Sequence, residues 1–383
     1  MDIIPLDRDD GVMLKEVFGV ACRSEAVSRV QPIQRTEEEF LTMVRFDFPG
    51  EREEGAVAMV DGAAAGWARV FFPERDNLDK CWTQLEVDPQ HRGQGVGSAL
   101  VAWTEERARA AKRDLLLAEV FVPVGARESH ADREFALRRG YAVSSVEIVR
   151  SLRLPVDSDT VARQRERAGE AVGDRESHAD REFALRRGFT VSSIEIVRSL
   201  PLPVAADVMA EHERRAAEAM GDLYELTVHV DGVPPELRQG VCDASNRLIL
   251  DAPTGDVDFE PESMTVEDYQ VLLDQQRDAG RTLITTVALH RETGVVAAYT
   301  DLVLPSGDPH IVFQWGTLVL PEHRGHRLGM AVKIANLQEL ARLAPERRTV
   351  QTMNDEQNPW MVDINKDLGF EVIEEALTMK KAF

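Results

Sequence analysis

The nine residues from Pro89 to Gly97, PQHRGQGVG, decide the fold of this chain. Three glycines stand at alternate positions in this stretch, and a backbone without Cβ atoms can curl closely around a ligand. A predicted strand, Trp82–Val87, ends just before the loop, and a predicted helix, Gly97–Lys112, begins at its end. Unpaired N–H groups and the positive end of the helix dipole meet there, which predicts an anion site suited to a pyrophosphate.

Two other kinds of glycine-rich loop fit this stretch less well. A Walker A loop needs Gly-Lys-Ser/Thr, which is absent, and a dinucleotide fingerprint belongs near the start of a βαβ unit. Here the loop follows strands that read as a hairpin, Ala56–Val60 and Gly66–Phe72, joined by the turn Asp61-Gly62. A glycine-rich turn that binds nothing is the remaining alternative, and the strand–loop–long helix context argues against it.

The loop has a distant counterpart in the second half of the chain. PEHRGHRLG occupies positions 321–329, again after an apolar strand and before a helix. Each copy is followed by strand, helix, a Gly-aromatic pair and a last strand, with Gly140-Tyr141 in one half and Gly369-Phe370 in the other. Two copies of one α/β domain explain this pattern, and the domains are predicted at residues 1–155 and 222–383.

A second, much closer repeat lies between the two predicted domains. Residues 127–156 recur at 175–204 with 26 of 30 positions identical. Copy one directly follows the predicted strand Leu115–Val122, so short loop closure favours it as the end of the first domain's sheet. Copy two then becomes a surplus unit in a linker, 156–221. Its apolar strand, Val191–Leu200, is predicted to pair on the edge of either domain or to exchange with copy one.

Composition narrows the classes of partner. The chain of 383 residues carries a net charge of −22, which argues against nucleic acid and anionic membranes as partners. An acidic protein attracts cationic substrates such as amines, although the charge can equally serve solubility alone. The three cysteines are far apart and show no metal-ligand spacing, so no metal is expected. No signal peptide or membrane span is recognisable, which predicts a cytoplasmic protein.

The residues around the loop resemble the acetyl-CoA motif of the GNAT N-acetyltransferase superfamily. Its pattern, Gln/Arg-x-x-Gly-x-Gly/Ala, is matched by Arg92, Gly95 and Gly97. In the second copy Arg324 and Gly329 match, but Arg327 replaces a motif glycine. The whole pattern is similar to that of tandem GNAT proteins of actinobacteria, and the resemblance covers residues 1–155 and roughly 222–383.

The resemblance implies a fold and a co-substrate. The expected fold class is α/β, with two GNAT-type acyl-CoA N-acyltransferase domains, each a mixed, mostly antiparallel sheet flanked by helices. Acetyl-CoA would lie in a V between two splayed strands, Trp82–Val87 and Leu115–Val122. The residues implied in coenzyme binding are Val87, Arg92, Gly93, Gln94, Gly95, Val96, Gly97 and Ser98 in the first domain, and Val319, Arg324, Gly325, His326, Arg327, Leu328, Gly329 and Asn354 in the second.

The implied reaction is acetyl transfer to a primary amine of a small molecule, by direct attack in a ternary complex. Glu86 is the candidate base for the ammonium, and a salt-bridged carboxylate without a catalytic role is the alternative. The family often has a tyrosine four residues before the Gly-aromatic pair, as the acid for the thiolate, but Ala136 and Asn365 stand there. Tyr141, His130 or water would then serve, although Tyr141 is also a candidate core aromatic.

Other readings of the sequence stay open. Because both tyrosines are absent, a non-catalytic acyl-CoA-binding protein is one alternative, and the charge also fits a peptide or protein N-acetyltransferase. A monomer and a homodimer are both compatible with two fused copies. In the second domain, Gln314, Thr317, Asn354 and Asn358 are expected to cluster at strand ends and a helix start. Asn354 and Asn358 are alternatively caps of the helix near Pro359.

Overall fold

The computed structural model describes residues 1–124, 181, 183–251, 257–261, 263–355 and 357–383. The first half contains β1 (Asp2–Pro5), α1 (Gly11–Ser28), α2 (Glu37–Arg45), β2 (Glu51–Val60), β3 (Ala63–Pro73), β4 (Lys80–Val87), α3 (Val96–Ala110), β5 (Leu115–Pro123) and β6 (Thr190–Pro201). The second contains α4 (Ala206–Met220), β7 (Tyr224–Val230), α5 (Pro235–Asp251), α6 (Val266–Asp278), β8 (Thr282–His290), β9 (Val296–Leu304), β10 (Ile311–Val319), α7 (Leu328–Leu343), β11 (Thr349–Asp355), α8 (Pro359–Leu368) and β12 (Glu371–Ala382).

The described strands form one continuous sheet of twelve, in the order β1-β2-β3-β4-β5-β12-β6-β11-β10-β9-β8-β7. Parallel pairing joins β4 to β5 and β10 to β11, and the other neighbouring pairs are antiparallel. Helices cover both faces of each half: α1 and α2 pack on one side of β2 and β3, and α3 packs on the other. The predicted α/β class, with a mixed, mostly antiparallel sheet in each half, is therefore confirmed.

The two halves exchange their last strands at the centre of this sheet. The C-terminal strand β12 lies between β5 and β6, and β6 from the first half lies between β12 and β11. The β12–β5 register runs from Glu374↔Pro123 to Ala382↔Leu115, and the β11–β6 register runs from Thr349↔Pro201 to Asp355↔Glu195. Each half thus completes its sheet with a strand of the other, which makes the pair one folding unit.

The position of β6 corrects the interpretation of the close repeat. Its residues belong to copy two, which the sequence analysis treats as a surplus unit on a sheet edge, inside a linker. The prediction that this strand pairs is confirmed, but its predicted edge position is wrong because it occupies the sheet centre. Its helix residues 183–186 and the pair Gly188-Phe189 lead into β6. Copy one, with Tyr141 and His130, lies outside the described residues, and the domain boundaries remain predictions.

Local sequence explains where the elements begin. Asp10 caps α1 by accepting from the amides of Val12 and Met13, and Thr36 caps α2. Thr265 and Asp268 form a reciprocal capping box at the start of α6. No helix in the described part of the chain is long and apolar enough to cross a membrane.

A buried ion pair joins α2 of the first half to the second half. Arg281 Nε donates to Glu39 Oε1 at 2.6 Å, and the side chains are 11% and 0% exposed. Ser306 Oγ and the Gly307 amide also donate to this carboxylate, each at 3.3 Å. One buried carboxylate therefore receives three donors from the other half of the chain.

We expect Glu39→Ala to lower the free energy of unfolding by about 3–5 kcal/mol, because Arg281 would keep its charge in a buried position without this partner. Urea unfolding measures the loss. Glu38→Ala is the matched control, since Glu38 lies next to it on α2 and is exposed, and it should change stability by less than about 0.5 kcal/mol. Equal effects of the two substitutions would contradict the assignment.

Candidate active site

Each half contains a V-shaped opening between its two parallel strands. Pairing of β4 with β5 runs from Lys80↔Leu115 to Thr83↔Ala118, although β4 continues to Val87. Pairing of β10 with β11 stops in the same way at Phe313↔Gln351. Beyond these points the strands carry backbone groups that face the opening, so an extended ligand with amides can bind there through hydrogen bonds.

The first loop forms a backbone cradle at the wide end of its V. Gly93 and Gly95 have φ angles of 74° and 91°, and no atom lies within 4 Å of the place where a Cβ would stand. The first intrahelical hydrogen bond of α3 joins the Ala99 amide to the Gly95 carbonyl at 3.0 Å. The amides of Val96, Gly97 and Ser98 precede that bond, so they are available to an anion. The residues present therefore fit a pyrophosphate.

Side chains hold this loop against α1. Arg23 Nε donates to Asp88 Oδ2 at 2.7 Å, and the Gln90 amide donates to Asp88 Oδ1 at 3.0 Å. Although burial opposes it, these donors lower the pKa of Asp88 below its usual value. Arg92 Nη2 donates to Ser28 Oγ at 3.0 Å. Arg92, a predicted coenzyme-binding residue, thus links the loop to α1.

The second loop keeps the same backbone despite its arginine. Arg327 occupies the position of Gly95 with φ 54°, a left-handed conformation that costs a non-glycine residue about 1–2 kcal/mol. Gly325 has φ 88°, and the Ala331 amide donates to the Arg327 carbonyl at 3.0 Å. The side chain of Arg327 is exposed. The substitution therefore preserves the cradle and adds a cation beside it.

The last glycine of each motif lets the helix approach its strand. A Cβ at Gly97 would stand 3.2 Å from Phe183 and 3.4 Å from Val87. A Cβ at Gly329 would stand 3.0 Å from Ile364 and 3.5 Å from Val319. These close contacts explain why glycine occupies the motif position in both halves.

Glu86 lies on the face of β4 that is opposite to α3. Trp67 Nε1 donates to its Oε2 at 2.9 Å, and Gln84 Nε2 donates to its Oε1 at 3.2 Å. Burial raises the pKa of Glu86 above its usual value. Leu85 and Val87 pack toward α3 instead, as strand alternation requires. The role of Glu86 as a base stays a prediction.

A cavity of about 430 Å³ lies in the V of the second half. Its walls come from β10, β11, α7 and α8, and residues of the first half also line it: Arg29, Ile33 and Phe121. The Arg29 guanidinium lies 3.7 Å from the centre of the Phe121 ring, and Arg29 Nε donates to Glu374 Oε2 at 2.9 Å. The segment after α1 therefore forms part of the cavity wall of the other half.

The polar residues predicted to cluster in the second domain do so around this cavity. Gln314, Thr317, Asn354 and Asn358 all line it. Asn358 Oδ1 accepts from the Met361 amide at 3.2 Å, so Asn358 is indeed the cap of α8. Asn354 does not cap the helix, because its Oδ1 accepts from Arg198 Nη1 and Asn365 Nδ2, each at 3.0 Å.

Sequence reasoning missed a deeply buried cation of this site. Lys333 is 1% exposed, lines the cavity, and donates from Nζ to Asn365 Oδ1 at 2.9 Å. Burial, assisted by the charge of Arg198, lowers the pKa of Lys333 to about 7. A signal was present in the sequence, since a lysine interrupts the apolar run of the helix LGMAVKIANL at 328–337.

Comparisons with known proteins agree with this geometry. Residues 24–135 match the sequence profile of the acetyltransferase (GNAT) family. A solved tandem GNAT protein from the clavulanic acid biosynthesis pathway aligns with 100% of this chain and 98% of its own, at 23% identity and a TM-score of 0.70. A GCN5-related N-acetyltransferase from Sphaerobacter thermophilus aligns over 100% and 95%, at 14% identity and a TM-score of 0.54. No curated protein sequence matches the chain.

The profile covers the first loop and the V that precedes it, and the structural match extends over both halves. Residues 24–135 therefore resemble the GNAT acetyltransferase family, and the chain as a whole has the fold of a tandem GNAT protein. The family model that matches these residues describes acetyltransferases.

Proposed function

We propose that this protein transfers the acetyl group of acetyl-CoA to a primary amine of a small molecule, by direct attack in a ternary complex. The cavity in the V of the second half carries this proposal. Its volume of about 430 Å³ falls in the range of small-molecule sites, and it lies between two domains, where such sites are common. A folded protein chain could not enter it.

Carboxylates in the cavity wall favour an amine. Glu195 and Asp355 both line the cavity on paired positions of β6 and β11. Burial raises the pKa of Glu195 to about 7, and repulsion from Glu119 and Asp355 adds to the shift. The group can therefore attract an ammonium when ionised and hold a proton near neutral pH. The net charge of −22 favours the approach of cations from solution.

Residues of both halves would bind acetyl-CoA. Amides at the start of α3 and α7 would hold the pyrophosphate, with Arg327 adding a charge in the second half. Strand edges in each V would hold the pantetheine amides. Acetyl-CoA supplies the activated acetyl thioester. In the first half, Glu86 would accept the amine proton directly or through water.

Two measurements test the proposal. Calorimetric titration with acetyl-CoA counts the coenzyme sites as none, one or two, and we expect two because both cradles are preserved. A thiol-release assay with a library of small amines, and with basic peptides in parallel, then measures turnover. Coenzyme binding without thiol release from any acceptor would support a binding protein instead. Turnover with peptides alone would support a peptide acetyltransferase.

A further inference from the structure

The two V openings differ in the chemistry beneath them. The structural repeat places Lys333 of α7 at the position of Val101 on α3, counted from Gly329 and Gly97. Val101 is 3% exposed and belongs to an apolar cluster of the first half. The cation is therefore a feature of the second domain alone, and the shared fold does not require it.

The residues around Lys333 are also polar, whereas their counterparts in the first half are apolar. Asn365 corresponds to Ala184, counted from the Gly-Phe pairs at 369–370 and 188–189. By the same count Arg198 of β6 corresponds to Met379 of β12, which is fully buried in the apolar cluster. Three positions that pack apolar side chains in the first half thus carry polar, hydrogen-bonded side chains in the second.

The direction of these hydrogen bonds determines how the Lys333 ammonium is oriented. Asn354 Oδ1 accepts from Arg198 and from Asn365 Nδ2, so the other end of the Asn365 amide, Oδ1, faces Lys333. Lys333 Nζ donates to that oxygen at 2.9 Å. An ammonium has three N–H groups, and Asn365 accepts one of them. Lys333 and Asn354 both line the cavity, so Lys333 presents a positioned N–H donor to a ligand in the V.

We propose that Lys333 is the general acid of the second domain and protonates the coenzyme sulfur as it leaves. This inference rests on the proposed function. The amine nitrogen forms a bond to the acetyl carbon, the carbon–sulfur bond breaks, and its electron pair stays on sulfur. A proton then passes from Lys333 Nζ to that sulfur. The new amide nitrogen loses its extra proton to water or to Glu195, and Lys333 regains a proton from solvent.

The electrostatics of the site support this role. A buried lysine near Arg198 gives up its proton far more readily than one in water, and its lowered pKa lies near neutral pH. A general acid is most effective when its pKa lies near the working pH. Because only the protonated lysine can donate, the rate of acetyl transfer should fall as pH rises through about 7.

Activity measurements on two variants test the assignment. Lys333→Met keeps the length of the side chain but removes the proton, and kcat should fall by about 10²-fold, the lower end for general acids. Lys333→Arg keeps the charge but not a removable proton, so the falling limb of the pH profile above about 7 should disappear. Lys80→Met, which removes a lysine that is 6% exposed outside the cavity, is the control and should leave kcat unchanged. Unchanged kcat in Lys333→Met would overturn the proposal.

A binding measurement on the wild type provides a readout that needs neither turnover nor a folded variant. NMR titration of ¹³C-labelled lysines in the full chain gives the pKa of Lys333 with CoA and with acetyl-CoA bound. We expect a higher pKa in the CoA complex, because only CoA has a thiol that can ionise beside the ammonium. Equal values in the two complexes would overturn the contact. Absence of turnover with every amine would instead overturn the proposed function, whatever this titration shows.

Discussion

Leu377→Asp in β12 is expected to unfold both domains together, with a loss of more than about 4 kcal/mol in the free energy of unfolding. Leu377 is fully buried and packs in the apolar cluster of the first half, with Leu116 and Val122 of β5. A carboxylate placed there would be desolvated without a cationic partner, which is among the most costly single substitutions.

The effect should reach the second domain because of the strand exchange. β12 pairs with β5 on one side and with β6 on the other, and β6 pairs in turn with β11 of the second half. Loss of β12 therefore leaves β5 and β6 each without a partner on one edge, although β4 and β11 still pair with their other edges. Hydrogen exchange followed by mass spectrometry should show that β3 of the first half and β9 of the second lose protection at the same denaturant concentration.

The same strand provides a control. Val372 is 45% exposed near the start of β12, and its register partner in β6 is Arg198. Val372→Asp introduces the same charge at an exposed position, so we expect a change of less than about 1 kcal/mol. If Leu377→Asp removed protection from the first half while β9 kept it, the two halves would not be one cooperative unit.

Gly95→Glu is expected to abolish acetyl-CoA binding in the first domain, with a loss of at least about 100-fold in affinity, or about 2.7 kcal/mol. Gly95 has φ 91°, so any side chain there costs about 1–2 kcal/mol in backbone strain. The space around its missing Cβ is open, and the new carboxylate would stand where the helix amides face the pyrophosphate.

Gly62→Glu separates the charge effect from backbone strain. Gly62 has φ 83° and equally open surroundings, but it lies in the turn between β2 and β3, away from the loop. It should lose stability without losing coenzyme. Calorimetry should show one site fewer for Gly95→Glu than for the wild type. Unchanged stoichiometry and affinity in Gly95→Glu would disprove the assignment of the loop.

The loop itself could be predicted because its properties are local. Positive φ angles at Gly93 and Gly95, and the amides that precede the first bond of α3, follow from nine consecutive residues. Sequence also predicted the second cradle, and the structure adds that Arg327 reaches the left-handed conformation without changing the turn. The strand alternation of Leu85, Glu86 and Val87 likewise required no tertiary information.

The residues beneath the V could not be predicted in this way. Arg198, Asn354 and Lys333 are distant in sequence, and they meet only because β6 enters the sheet beside β11. Seen alone, a lysine in an apolar helix or an arginine in an apolar strand has no evident partner. Their hydrogen bonds depend on the exchange of strands, and so does the charge of Arg198, which assists burial in lowering the pKa of Lys333.

By itself, the sequence determined the fold class, the pair of coenzyme loops and the presence of a duplicated helix–strand unit, because glycine spacing and hydrophobic periodicity act over short distances. Tertiary structure alone decided which strand closes each sheet. Loop-closure entropy favoured copy one, but the residues of copy two occupy the sheet centre as β6, with β12 and β11 on either side. β6 forms hydrogen bonds on both edges and buries its side chains. This stabilisation comes from residues distant in sequence, so loop length alone could not predict it.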